Sequence, residues 1–324
     1  MNNKKLIALL LAAMMSVSTA SVAFAAPEDE ITKGYPDGDV WESKLYNAML
    51  EAGDSNDDGK LTEGEAAAIE TLTIDSLSLG ALKGLENCTG LKELTVTDSQ
   101  VQDLSFLSKL TSLEKLTLSG NNIQDLSALS SLTSLKTLDL SDNASLADLS
   151  KLSGLSNLTT LNVSGTAVAD VSKVPASVTD LDVSNTKVRD LTGLPTGLTS
   201  LKASGNNIED MSKISGLTSL EYLDLSDNLI SVLTDLSGFS KLENLNLQGN
   251  SFSNIDSLES KLPASIKDNA DWKNSVFGTP SSETVDKTAL KAAIANAQAL
   301  LDATVSSENG ADVAKTEKWA TPAN

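Results

Sequence analysis

The chain has 324 residues, with 44 Asp and Glu against 24 Lys and Arg, a formal charge of -20, one Cys, no His and 3% aromatic residues. So acidic a chain opposes binding to nucleic-acid phosphates or to an anionic membrane surface, where association runs on Lys and Arg displacing counterions. Zero His and a single Cys remove the commonest general base, the commonest zinc ligands and any internal disulfide, so the fold must rest on apolar burial or on a hard cation.

Residues 1 to 25 read as an export signal. Lys4 and Lys5 form a positive start, residues 6 to 15 an apolar stretch too short to span a bilayer, and Ala23-Phe24-Ala25 a small-x-small cleavage site. No later apolar run is long enough to span a membrane, so the product is expected to be secreted or held at the cell surface; the alternative is an uncleaved anchor.

A helical cap is expected over residues 26–68, built around one loop. Asp54, Asn56 and Asp58 offer side-chain oxygens, Lys60 a backbone carbonyl and Glu65 two carboxylate oxygens, at the ligand spacing of a twelve-residue EF-hand loop. Gly59 permits the sharp turn that aims these groups inward. Thr62 either reaches the ion through water or caps the helix that follows, since Thr62 and Glu65 also have capping-box spacing. Val40, Trp41, Leu45, Tyr46, Met49 and Leu50 predict an entering helix, and residues 65 to 70 an exiting one. One Ca²⁺ is the expected ion, in a structural role, because regulatory loops of this kind normally pair; an acidic turn that binds nothing is the alternative.

From Ile69 the chain is periodic. L-x-x-L-x-L segments begin at Ile69, Leu91, Leu113, Leu135, Leu158, Val178, Leu198, Leu220 and Leu242, spaced by 22, 22, 22, 23, 20, 20, 22 and 22 residues. The first half of each unit alternates like a short strand, and the second recurs every three residues like a 3₁₀ or short helical turn. One unit cannot bury its own leucines, but stacked units make a continuous core. The expected fold is therefore an α/β solenoid over residues 69–265, a leucine-rich repeat with a parallel sheet on its concave face and 3₁₀ turns on its convex face. Asn121, Asn143, Asn206, Asn228 and Asn250 are placed to bond backbone groups at a corner, with Thr166 and Thr186 in the two 20-residue units. Those two units also carry Pro175 and Pro195 and are expected to lose a turn. Asp103, Asp125, Asp148, Asp170, Asp190 and Asp210 stand where a side-chain oxygen caps the second half-repeat, and Cys88 aligns with core leucines.

The repeat L-x-x-L-x-L-x-x-N-x-I-x-D-L resembles the internalin-type bacterial leucine-rich repeat, and the helical segment before it is similar to that family's N-terminal cap. The resemblance spans roughly residues 35 to 265. It implies a curved solenoid at a bacterial surface that binds other macromolecules through its concave sheet, and no enzyme activity. The full oxygen ligand set in the cap departs from the family pattern, where the cap stands for shape.

On the concave face the third and fifth residues of each strand motif point outward. They are mostly small and polar, with one aromatic, Tyr222, and four central acids, Asp139, Asp180, Asp182 and Asp224. These five are the candidate contacts for an unidentified protein or glycan; the acids either meet a basic partner or form a solvated face. Residues 266–280, with Trp272, are expected to close the open end. Over residues 281–324, Leu290, Ile294, Ala297 and Leu301 mark a helix face, and the run VDKTALKAAIANAQAL resembles part of the FIVAR helical modules of Gram-positive cell-wall proteins. That module leaves a second reading open, in which the chain is the cell-wall or carbohydrate-targeting region of a larger secreted enzyme. Catalysis by carboxylates on a sheet so poor in aromatic sugar platforms is disfavoured.

Overall fold

A computed structural model of the chain describes residues 40–76, 82 and 84–278. The export signal of residues 1–25, the start of the cap and the helical module of residues 281–324 lie outside them.

Among the described residues nine strands form one parallel sheet in sequence order: β1 (Thr71–Asp75), β2 (Glu93–Thr97), β3 (Lys115–Thr117), β4 (Thr137–Asp139), β5 (Thr160–Asn162), β6 (Asp180–Asp182), β7 (Ser200–Lys202), β8 (Tyr222–Asp224) and β9 (Asn244–Asn246). Register is set by one column of leucines. Leu72, Leu94, Leu116, Leu138, Leu161, Leu181, Leu201, Leu223 and Leu245 pair with one another across every strand boundary, and none is more than 6% exposed. A slip by one residue would turn this column outward, at about 1.5–3 kcal/mol for each leucine that lost its burial.

On the opposite side the chain returns through short 3₁₀ segments, including Ser105–Lys109, Ser127–Ser131, Ser150–Leu152, Val171–Lys173 and Ser212–Ile214. The two proline-bearing units differ from expectation. The unit with Pro175 keeps its three-residue turn at Val171–Lys173, whereas the unit with Pro195 has none, and neither has the 22-residue unit between β8 and β9. Where the convex side thins, Asp170 and Asp190 pair directly as a parallel bridge.

The corner after each strand is held by a buried amide. Asn143 is fully buried; its Nδ2 donates to Leu118 O at 3.0 Å and Leu140 O at 2.9 Å, and its Oδ1 accepts from Ile123 N–H at 2.9 Å. Asn121, Asn206, Asn228 and Asn250 repeat the pattern. Thr166 and Thr186 take the same corner with one hydroxyl, donating to Val163 O and Val183 O.

One residue upstream of the corner residue, whether Asn, Thr or Ser99, the backbone takes positive φ, at Asp98, Gly120, Asp142, Gly165, Asn185, Gly205, Asp227 and Gly249 in turn. The order alternates for a steric reason. A Cβ on Gly120 would overlap Asp98 Oδ1 in the coil before, and Gly165, Gly205 and Gly249 meet Asp142, Asn185 and Asp227 alike, so each side-chain oxygen lies over the next coil's glycine.

Both ends are closed. Helix α1 (Val40–Gly53) buries Leu45 and Met49, and α2 (Glu63–Ala67) buries Ala66. Helix α2 runs two residues ahead of the span expected from sequence, with Thr62 as its N-cap. At the other end α3 (Ala264–Lys267) and α4 (Trp272–Phe277) bury Ile266, Trp272 and Val276. There Leu247 N–H donates to Val276 O at 2.7 Å, and Phe277 packs edge-on against both Phe252 and Trp272. Trp272 is thus buried in the apolar contact at this end. Cys88 is fully buried, and burial pushes its thiol up to about 12, which removes it as a nucleophile.

Asn143→Ala takes the acceptor from Ile123 N–H and the side-chain donor from Leu140 O, two buried backbone groups, while Leu118 O keeps Asn121 Nδ2 at 3.0 Å. It is expected to cost about 3 kcal/mol in urea unfolding, and Asn250→Ala, at a half-buried terminal corner, clearly less. Equal costs for the two would show that burial of the amide is not what gives the ladder its strength.

Candidate functional site

In the N-terminal loop, carboxylates and amides are tied to backbone N–H groups. Asp54 accepts from Asp58 N–H at 3.2 Å and Gly59 N–H at 3.0 Å, Asn56 Oδ1 from Asp58 N–H at 2.9 Å, and Asp58 Oδ1 from Lys60 N–H at 2.9 Å. Gly59 has φ +78° with open space where a Cβ would stand, so the turn needs glycine for its backbone conformation and not for room. Leu61, fully buried, anchors the loop, and its N–H donates to Tyr46 Oη at 3.3 Å.

Glu65 and Thr62 form a complete capping box at the start of α2, so Thr62 acts as the cap. Glu65 Oε1 accepts from Ser55 N–H and Ser55 Oγ at 3.1 and 2.9 Å, and Oε2 from Thr62 N–H and Thr62 Oγ1 at 3.1 and 3.0 Å. Chiefly the Thr62 N–H, then the Ser55 hydroxyl, hold its carboxyl down at about 2. The donor chemistry of Asp54, Asn56, Asp58, the Lys60 carbonyl and Glu65 is all hard oxygen, which suits a divalent cation such as Ca²⁺. Among the described residues no three Asp, Glu, Cys or His side chains gather closely enough to hold a metal by themselves, and the four contacts on Glu65 compete with bidentate ligation.

On the sheet the two outward rows lie as expected. One row runs Thr71, Glu93, Lys115, Thr137, Thr160, Asp180, Ser200, Tyr222 and Asn244, and the other Thr73, Thr95, Thr117, Asp139, Asn162, Asp182, Lys202, Asp224 and Asn246. The structure does not bring the four acids together. Asp139, Asp182 and Asp224 occupy alternate strands of one row, with Asn162 and Lys202 between them, about 10 Å apart at ordinary strand spacing; Asp180 and Tyr222 stand in the other row. Lys202 Nζ lies 3.8 Å from Asp182 Oδ2.

Three of these acids also serve the backbone, which the sequence reading missed. Asp139, Asp182 and Asp224 each accept at 2.9 Å from the N–H of Ser141, Ser184 and Ser226, two residues on. Asn162 does the same for Ser164. The signal was present as an Asp-x-Ser spacing, the one that places Asp103, Asp125, Asp148, Asp170, Asp190 and Asp210 on the N–H of Ser105, Ser127, Ser150, Ser172, Thr192 and Ser212. Asp235, also overlooked, caps Ser237. Asp180 and Tyr222, both half-buried, are free of such duty.

Hydrogen bonds from the residue two positions on hold the carboxyls of Asp125, Asp148, Asp170, Asp190, Asp210 and Asp235 below their ordinary range. A depressed carboxyl contributes stability that is present above its unfolded pKa and lost as pH falls through its folded one. Thermal stability is therefore expected to hold down to about pH 4 and to fall below it. Replacing these six Asp by Asn should flatten that fall; an unchanged acid limb would mean the caps do not carry it.

Family models of leucine-rich repeats match residues 111–154, 133–176 and 196–252. No curated protein matches the sequence. Among solved structures, the chain is similar to internalin C2 from Listeria monocytogenes at 32% identity and a TM-score of 0.59, over 64% of this chain and 92% of that one. It is also similar to InlF, an internalin from the same species, at 26% identity and a TM-score of 0.53, over 74% of this chain and 84% of that one. The chain thus belongs to the internalin-like family of leucine-rich-repeat proteins.

Proposed function

We propose that this protein is an exported or surface-held binding module, not an enzyme, whose sheet face takes a protein partner and whose N-terminal cap is locked by one Ca²⁺. The observation that carries the first part is the long uninterrupted sheet with two solvent-facing rows. Backbone pairing and the leucine column hold these rows in fixed register, so their side chains make a rigid, preorganised surface. Tyr222 is the single aromatic in them and the natural anchor, and Asp180, two strands away in the same row, is an acid that no backbone group claims.

Two measurements separate surface from scaffold. Asp139→Asn, Asp182→Asn and Asp224→Asn together keep the oxygens that accept from the backbone, as Asn162 already does, and should leave the melting temperature within a few degrees of wild type. On that background Asp180→Lys with Tyr222→Ala should reduce cross-linked capture of purified surface-protein candidates at least tenfold. Undiminished capture would remove the sheet face as the interface.

For calcium, what supports the reading is the oxygen-only donor set around Gly59 and a Glu65 already ionised at neutral pH. Exchanging Glu65's contacts with Ser55 and Thr62 for an ion has a cost, which fits the dissociation constants of about 10⁻⁴ to 10⁻³ M found in extracellular modules. Calorimetry should record one site, lost in Glu65→Gln, with stabilisation of about 2.7 kcal/mol at a hundredfold excess of calcium. No heat and no melting shift would reduce the loop to a connector.

A further inference from the structure

The hydrogen-bond series that joins the coils stops abruptly at its C-terminal end. In coil after coil one carbonyl just ahead of the strand accepts two successive N–H groups from the coil that follows. Lys92 O takes Glu114 N–H and Lys115 N–H at 2.8 and 3.0 Å; Thr199 O takes Glu221 N–H and Tyr222 N–H at 2.8 and 3.1 Å; Glu221 O takes Glu243 N–H and Asn244 N–H at 2.9 and 3.1 Å. Glu243 O is next in the series, and no described N–H reaches it. Strand donors behave alike. Leu225 N–H donates to Asn246 O, and its equivalent on the outer edge of β9, Leu247 N–H, is taken by Val276 O. Leu245 N–H, two residues earlier on that edge, has no acceptor among the described residues, although Leu245 is only 6% exposed.

These groups border a hollow of about 350 Å³ between the sheet end and the C-terminal cap, a volume within the usual range of ligand sites. Tyr222, Asn244 and Asn246 line it from the sheet, and Ser265 and Asn269 from the cap. Glu243 is the one carboxylate in the lining, which holds no Lys or Arg. The hollow therefore disfavours anions. It presents, in strand geometry, one carbonyl suited to two donors, one donor seeking an acceptor, and a negative charge beside them.

We propose that this hollow receives an extended peptide segment bearing Lys or Arg, which adds to β9 as a short tenth parallel strand. Two successive N–H groups of the peptide bond to Glu243 O, a peptide carbonyl accepts from Leu245 N–H, and the basic side chain meets the Glu243 carboxylate. The inference deepens the reading of the sheet as a protein-binding surface and rests on it, since Tyr222 belongs to both.

The test selects phage-displayed random dodecapeptides on the full chain, with counter-selection on Asn244→Trp, which fills the hollow from an exposed strand position, and on Asn269→Trp, which fills it from the opposite wall. Melting curves confirm that both variants fold. Enriched peptides are then synthesised and titrated by fluorescence anisotropy. They should carry Lys or Arg, bind at least tenfold more weakly to Glu243→Lys, and lose at least tenfold when either of two adjacent backbone amides is N-methylated. Failure to enrich any peptide for wild type over both blocked variants overturns the proposal, as does equal binding of N-methylated peptides or selective binding of neutral oligosaccharides at the hollow. If Asn244→Trp abolishes peptide binding but leaves capture of a sheet-face partner intact, the two sites are separate and only the shared role of Tyr222 falls. If capture at the sheet face fails while peptides still bind as described, the hollow stands and the wider reading does not.

Discussion

Each coil of this protein turns a corner beside a column of leucines that excludes water, and every peptide group at that corner needs a partner from the protein itself. An unpaired buried donor or acceptor costs more than a hydrogen bond returns, so the corner decides which residues the repeat tolerates. Asparagine answers the need with one side chain. Its amide N–H groups reach carbonyls of its own coil and the coil before, and its oxygen takes an N–H from that earlier coil, as Asn143 does for Leu140, Leu118 and Ile123. A threonine hydroxyl answers only in part: Thr166 donates to Val163 O but accepts from no neighbouring coil, and Thr186 shares its hydroxyl with Asn206 Oδ1 at 2.8 Å. The threonine corners coincide with the shorter coils, where there is less loop to tie down.

Much of this was legible because repetition multiplies a weak signal. A single L-x-x-L-x-L says little about fold, whereas nine of them at near-constant spacing fix strand, register and outward rows together, and all of these stand as read. Three things were not legible, each for a physical reason. The alternation of Asp or Asn with Gly at the left-handed corner spans two coils, so no single repeat displays it; it follows from a side-chain oxygen of one coil lying where a Cβ of the next would stand. The backbone duty of Asp139, Asp182 and Asp224 was hidden because their outward position invites a reading as surface charge, although their Asp-x-Ser spacing matches that of the convex caps. The hollow lined by Asn244 and Asn269 joins residues brought together only by the turn of the C-terminal cap onto β9, a relation that no periodicity encodes.

The acidity has the same origin. A carboxylate serves as well as an amide for holding an N–H two residues on, and it adds repulsion that keeps a long apolar solenoid soluble. The sheet then spaces its acids on alternate strands, with Asn162 and Lys202 between, so no two of Asp139, Asp182 and Asp224 are direct neighbours. Negative charge on this molecule is in part a by-product of how its corners and turns are capped.

A solenoid whose coils contact only their neighbours leaves its chemistry to its surfaces and its ends. Every interior coil spends its edge groups on the next one, so interior backbone has nothing left to offer a ligand, and only outward side chains such as Asp180 and Tyr222 remain free. The ends differ because the series must be interrupted there by something other than a coil. At the first strand a helical cap performs the interruption, with Gly53 at the end of α1 so close that a Cβ there would press on Leu61 and Ile69. At the last strand the cap takes up Leu247 N–H but leaves Leu245 N–H and Glu243 O beside a polar hollow. There α3 and α4, helices of four and six residues, take up one step of the ladder and leave the next. At that step ordered backbone donors and acceptors, an aromatic ring and the Glu243 carboxylate converge.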